Sequence, residues 1–230
     1  MRRRDVTALL FSTFGLAGCW GNTYTWNQKL TVNVNTPDGI KSGSAVTQVT
    51  AKVGGQSLLS QAVVSYKVTG EATFVKLGIG KFIFALLSNG GDYEPTEYWA
   101  AKAFHQQLVE DFGYGTEEKL AELFEKFQTF RGSKTLALAD YPLLVTFTDT
   151  SDPKSVAEMK PMKLADRFGA GYSLKSITLE ITDEAVTKVA VEKVLVWLSQ
   201  YPEPPLCQPT SGTDFSFCAT NVHHGDFTRR

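Results

Sequence analysis

Residues 30–53 limit the fold more than any other stretch of the chain. Leu30, Val32 and Val34 alternate with Thr31, Asn33 and Asn35, and Ala45, Thr47, Val49, Ala51 and Val53 resume the alternation after a break. A period of two sends successive side chains to opposite faces, so each run reads as a strand with one buried face. The break is Thr36-Pro37-Asp38-Gly39. Proline presets φ, the aspartate can bond back to the backbone, and glycine accepts positive φ, which together make a turn. The expectation is an antiparallel hairpin with a longish loop running on through Lys41-Ser42-Gly43.

Two further strands are expected over 64–77 and 81–87, separated by Gly78-Ile79-Gly80. The second is almost wholly apolar and reads as a central strand covered on both faces. The pattern then changes period. Asn89-Gly90-Gly91 breaks the strand, Pro95 suits a first helical position, and Trp99, Phe104, Leu108 and Phe112 fall near one stripe. Gly113 and Gly115 end that helix. Thr116 can cap the next, with Glu117 and Glu118 in its positive first turn. Leu120, Leu123, Phe124, Phe127 and Phe130 carry its apolar face to Gly132, completing an αα-hairpin over 94–131. Strands return at 143–147 and 172–181, with a short helix expected from Asp152-Pro153 to Met159. A C-terminal helix is expected over 187–200, burying Val191, Val194, Leu195 and Leu198. Pro202-Glu203-Pro204-Pro205 then begins an extended tail. Strands and helices in separate runs define an α+β class: a mostly antiparallel sheet, an inserted αα-hairpin and a C-terminal helix.

The N-terminus carries an address. Arg2, Arg3 and Arg4 precede an apolar run over 6–16 and then Leu16-Ala17-Gly18-Cys19. A basic start, a short apolar core and small residues before a cleavage point read as a secretory signal peptide. The apolar run is about half the ~20 residues a spanning helix needs. Leu16-Ala17-Gly18-Cys19 resembles the lipobox of bacterial lipoproteins. That resemblance implies a lipidated Cys19 as the first mature residue and attachment to a cell-envelope membrane. In that family an Asp after the Cys favours inner-membrane retention. Trp20 stands there, which implies the outer membrane, facing the periplasm. Arg3-Arg4-Asp5-Val6 partly resembles a twin-arginine signal, so both export routes stay open. The expected division is residues 1–18 as leader, 19–25 as a polar tether, 26–201 as one α+β domain, and 202–230 as a tail with a disulfide loop.

A second resemblance runs through the folded part. The blocks 30–39 with Ser42-Gly43-Ser44, and Tyr141-Pro142-Leu143-Leu144-Val145-Thr146-Phe147 with Asp152-Pro153-Lys154-Ser155-Val156, carry its first half. Phe168-Gly169-Ala170-Gly171 and Ile177-Thr178-Leu179-Glu180-Ile181-Thr182 carry the rest. They resemble an uncharacterised group of proteobacterial proteins, which implies a shared fold and no particular chemistry.

The 230-residue chain has a net charge of −1, and three of its arginines lie in the leader. Such a weakly acidic domain lacks the basic footprint of a nucleic-acid binder, so no nucleic-acid partner is expected. Of three cysteines, Cys19 is assigned to lipid, leaving Cys207 and Cys218 as an even pair in an oxidising compartment. A disulfide is the expected state. Zinc ligation with His223 and His224 is the rival, and ten intervening residues fit a zinc pair poorly.

Catalytic signatures are sparse. Gly55-Gln56-Ser57-Leu58-Leu59 is no nucleophile elbow, and Gly78-Ile79-Gly80-Lys81 lacks the rest of a phosphate loop. His105 is the one histidine outside the tail, and it reads as a structural residue on its helix. Asp149, Asp152 and Asp166, with Arg167, could serve as acid and base or hold calcium. The plainer reading makes Asp152 a helix cap and the others solvated turn residues. Tyr98, Trp99 and Tyr114 flank the αα-hairpin, where aromatic clefts bind ligands, although such residues at helical spacing are commonly core. The candidate ligand-binding residues are therefore Tyr98, Trp99, Asp149 and Asp152. No cofactor or metal is expected. The leading expectation is a lipid-anchored, non-enzymatic binding or assembly module whose partner is an envelope protein, a lipid or a small ligand; the alternative is a periplasmic hydrolase using carboxylates around Asp149 and Asp152.

Overall fold

The computed structural model describes residues 22–54, 64–88, 96–113, 116–206 and 222–230. Its framework is a long hairpin of β1 (Asn22–Thr36) and β2 (Gly39–Val53), paired in unbroken register from Asn22 opposite Val53 to Thr36 opposite Gly39. The connection is a tight two-residue turn at Pro37 and Asp38. Lys41, Ser42 and Gly43 belong to β2, correcting the expected longer loop. Gly39 adopts φ +106°, the conformation that makes so short a turn accessible.

Among the described residues, ten strands form two antiparallel sheets. The first has the order β10-β3-β2-β1-β9-β6. Its further members are β3 (Val64–Glu71), β6 (Gly132–Thr135), β9 (Ser173–Thr182) and β10 (Thr228–Arg229). The second has the order β4-β5-β7-β8: β4 (Thr73–Gly78), β5 (Lys81–Ala85), β7 (Leu144–Phe147) and β8 (Val156–Glu158).

The expected single strand over 64–77 is two. It bends at Ala72, between β3 and β4, and passes from one sheet to the other. The bend lies beside Gly70, where φ is +139° and a Cβ would come within 2.9 Å of the Thr47 side chain. Where β4 crosses β2, Gly43 meets the Phe74 carbonyl so closely that a Cβ would stand 1.8 Å from its oxygen. Only glycine allows that approach.

Alternation in β1 divides the surroundings cleanly. Tyr24, Trp26, Gln28, Leu30, Val32 and Val34 are buried, whereas Thr23 and Thr25 on the other face are exposed. Two kinds of cover lie over the buried face. Helix α1 (Trp99–Leu108) and helix α2 (Glu117–Thr129) occupy stretches expected to be helical. The Thr116 hydroxyl accepts from Lys119 N–H, so α2 begins at the expected cap. Phe124 of α2 stacks on Trp26 with ring centres 5.3 Å apart, and Phe127 packs against the same indole at a tilt, 5.0 Å away. Farther along, Val75, Leu77, Ile83 and Ala85 of the second sheet join Leu30, Val32 and Val34 in the same core.

The second sheet is covered on its other side as well. Phe84, Val145 and Phe147 point away from the first core into another, with Val191, Leu195, Trp197, Val222 and Phe227. The expectation that 81–87 is a central, doubly covered strand matches β5, which lies between β4 and β7. Residues 83–87 are all buried.

Further expectations are corrected. Residues 187–200 form single turns ending in a 3-10 helix (Val196–Ser199) instead of a C-terminal α-helix. Val189 has φ +64°, and the Ala190 and Val191 N–H groups donate to the Glu71 carboxylate instead of to carbonyls one turn back. Four valines between 189 and 196 also disfavour helix through their restricted χ1. Residues 153–159 form a 3-10 turn (Pro153–Ser155) followed by β8, because Val156 pairs opposite Phe147. The polar tether of 19–25 stops short: Asn22 to Thr25 already pair with Val53 to Thr50, and Tyr24 is buried.

The domain also does not end at 201. Residues 222–230 return to it, Phe227 is fully buried, and β10 pairs with β3. The tail assignment of His223, His224 and Asp226 is thus replaced by a docked 3-10 turn (His224–Asp226) in which the Asp226 carboxylate accepts from His223 N–H.

Candidate functional site

Docking of the C-terminal segment creates a cavity of about 350 Å³ beside β3 and β10. Thr69, Gly70 and Glu71 form one wall, Thr187 to Val189 with Glu192 another, and Thr228 to Arg230 the third. Its volume is at the lower end of what small-molecule sites occupy.

Local chemistry explains how each wall is held. The Val46 N–H donates to the Thr187 hydroxyl at 2.9 Å, and the Thr187 N–H donates to the Val46 carbonyl at 3.0 Å. The chain is thereby fastened to β2 before it turns. Glu71 is only 4% exposed, and its carboxylate takes the Ala190 and Val191 N–H groups at 3.1 and 2.8 Å. A buried carboxylate needs such donors to offset its lost hydration. Between those anchors Val189 is held at positive φ and half exposed, a conformation rare for a β-branched residue. Strain of this kind persists where the surroundings over-determine it, and it concentrates at functional sites.

Arg230 pairs with Glu192 across the opening. Arg229 turns the other way, donating to the Leu87 and Gly225 carbonyls and facing the Glu97 carboxylate at 3.5 Å. The remaining lining comes from Thr69, Thr187, Thr228 and Lys188, and with Gly70 and Val189 most of the accessible wall is apolar. With both Glu71 oxygens committed to backbone N–H groups, the lining residues include no nucleophile paired to a base. Their chemistry is that of holding a small amphipathic molecule.

The residues singled out from sequence lie elsewhere and apart. Trp99 is nearly buried and lines a smaller crevice of about 150 Å³ with Lys102, Ala103, Lys134 to Ala137 and Asp140. There Lys102 faces Asp140 at 3.0 Å and the Lys134 ammonium donates to the Ala103 carbonyl. Tyr98, next in sequence, is 41% exposed and meets Tyr66 edge-on at 5.2 Å. Burial pushes the Tyr66 phenol well above its ordinary range, with Tyr98 and Glu97 adding to the shift.

Asp149 and Asp152 occupy a self-contained turn. Asp149 Oδ1 accepts from the Ser151 N–H and hydroxyl, which hold its carboxyl below the usual carboxylate range. Asp152 Oδ1 accepts from Lys154 N–H, the capping role open to it in sequence. Arg167 donates to Thr148, Asp166 is exposed, and His105 Nδ1 bonds the Ala101 carbonyl one turn back. The turn adjoins the second core through the Thr150 carbonyl, which accepts from Trp197, whereas Trp99 belongs to the first. The four candidate ligand residues therefore do not form one site. Cys19, Tyr114, Cys207 and Cys218 lie outside the described residues.

Among the described residues no group of three or more His, Cys, Asp or Glu is placed to hold a metal, and no helix is long and apolar enough to cross a membrane. Comparison with protein-family models, curated proteins and solved structures finds no match to this chain. Glu71, Thr187, Val189 and Glu192 were missed by sequence reasoning. The one signal near them was Gly70 inside a strand pattern, which marks a bend or a close approach.

Proposed function

We propose that the chain is a lipid-anchored bacterial envelope protein, attached through Cys19 and carrying a binding module that faces the periplasm from the outer membrane. The leader pattern and Leu16-Ala17-Gly18-Cys19 support the anchor. The cavity between β3, β10 and the Glu71-held turn carries the binding reading, because it is preformed, mostly apolar in its accessible wall and edged by charged and hydroxyl groups. Its ligand is a small amphipathic molecule; an envelope protein is the larger partner compatible with such a module. In that compartment Cys207 and Cys218 form a disulfide.

A hydrolase built on Asp149 and Asp152 gains no support, since each carboxylate already accepts a backbone N–H within its own turn. Envelope fractionation tests the anchor. Cys19→Ser should move the chain out of the membrane fraction, and an unchanged distribution contradicts lipid attachment. For the cavity, amino acids and dipeptides with apolar side chains are the first probes. A ligand present at 100 times its Kd should raise unfolding stability by about 2.7 kcal/mol. Thr69→Tyr, which adds bulk to one wall of the cavity without touching the Thr187–Val46 clamp, should abolish that gain; a gain that survives it would place binding elsewhere.

A further inference from the structure

At a rise of about 3.3 Å per residue, the 15-residue β1 carries the chain roughly 46 Å from Asn22 to the β1–β2 turn. Three connections meet at that far end. Thr73 donates to the Leu30 carbonyl and Phe74 closes on Gly43, so β4 runs toward the same end and delivers the Ile79-Gly80 turn there. The loop before β9 lies between the two turns. Pro37 Cγ is 3.0 Å from where a Gly171 Cβ would stand, and the Lys81 ammonium is 5.5 Å from the Tyr172 ring centre.

This end is apolar at its points and basic around them. Ile79 is 98% exposed in a turn, where glycine, asparagine or aspartate is ordinarily favoured, and Ile40 is 53% exposed at the start of β2. Lys41 follows Ile40, Lys76 and Lys81 flank the Ile79 turn, and Lys175 stands at the start of β9. Across residues 37–41, 76–82 and 169–175 the sole acid is Asp38. Gly80 beside it is open, with nothing within 4 Å of its Cβ position. Ile79 therefore stands as an exposed apolar point among lysines. A bilayer can close around such a point, and anionic headgroups complement the lysines.

We propose that this end is a membrane-contact surface, with Ile79 and Ile40 entering the headgroup boundary of an anionic bilayer and Lys41, Lys76, Lys81 and Lys175 meeting the headgroups. The contact is independent of the proposed lipid at Cys19, which precedes β1 in the sequence, before the end opposite this surface. Where both operate, the hairpin lies along the membrane.

A fluorophore sensitive to polarity, placed at Ile79→Cys in the full chain with Cys19, Cys207 and Cys218 changed to Ser, reads the contact locally. Phosphatidylglycerol-containing vesicles should raise its emission several-fold, with a weaker response to pure phosphatidylcholine. Each lysine near an anionic surface contributes about fivefold in affinity, so Lys76→Glu with Lys81→Glu should weaken the response at least tenfold. Vesicle binding without a change at position 79 overturns the proposal. So does shielding of the label by lipid-free envelope protein alone, which would assign the end to a protein partner. A second variant keeps all other residues native: in the Cys19→Ser chain, Ile79→Asp should reduce partitioning onto anionic vesicles about tenfold, and unchanged partitioning contradicts the contact.

Discussion

The core under the first sheet is filled from strands and helices whose apolar residues recur at regular intervals, whereas the core behind the second sheet is closed by chain without a period. Tyr24, Trp26, Leu30, Val32 and Val34 come from one strand, and Leu123, Phe124 and Phe127 from one helix face. On the other side, Val191, Leu195 and Trp197 come from irregular turns, and Val222 and Phe227 from a segment near the chain's end. Burial is equally complete in the two. Irregular chain reaches that burial only if its backbone polar groups find partners outside helix or sheet. Glu71 serves the 190–191 N–H groups, Asp226 serves His223, and the Phe227 and Asp226 carbonyls accept from Ala72 and Leu87. The cavity is a by-product of that arrangement, lying where the irregular chain meets the sheet edge.

The largest expected effects come from emptying each core. Phe124→Ala and Phe227→Ala should each cost about 3–5 kcal/mol in urea unfolding, since both side chains are fully buried. A cost below about 1 kcal/mol for Phe227→Ala would make the second core a loose flap and break the equivalence. Next is Glu71→Ala, which leaves two N–H groups without their acceptor and should cost about 2–3 kcal/mol, read in the same titration. Thr116→Ala removes the cap of α2 on the first-core side and should cost about 1 kcal/mol.

The smallest effect is in pH. The Tyr66 phenol is raised by burial, so the folded protein keeps its proton where the unfolded chain has lost it. Stability contributed by Tyr66 is intact below the ordinary tyrosine range and falls as pH rises above it. Tyr66→Phe should therefore flatten the alkaline loss of Tm between pH 9 and 11 relative to the parent chain. An identical slope in both would remove Tyr66 from that loss.

The same division decides what could be read beforehand. The β1–β2 pair, β9 and the two helices follow from alternation, a helical stripe and a capping threonine. Strand β6, Gly132-Ser133-Lys134-Thr135, has no apolar alternation; it is a strand because Ile181 to Thr178 offer it an edge. Residues 187–200 carry a helix-like stripe, yet Glu71, more than a hundred positions away in sequence, captures the N–H groups a helix would use. Local pattern cannot register an acceptor brought in by the fold. The candidate site shows the same limit. Turn and capping roles at Asp149 and Asp152 were legible from neighbouring residues, whereas Glu71 became a wall of the cavity only once β3 and the C-terminal segment met.

Hydrogen exchange tests most directly whether irregular chain closes the second core as firmly as periodic chain closes the first. Amides of Ala72, Leu87 and Val191 should exchange together, at rates close to those of Leu30 and Val32 in β1, and all three should accelerate in Glu71→Ala. Exchange of those three near solvent rates while β1 stays protected would contradict it.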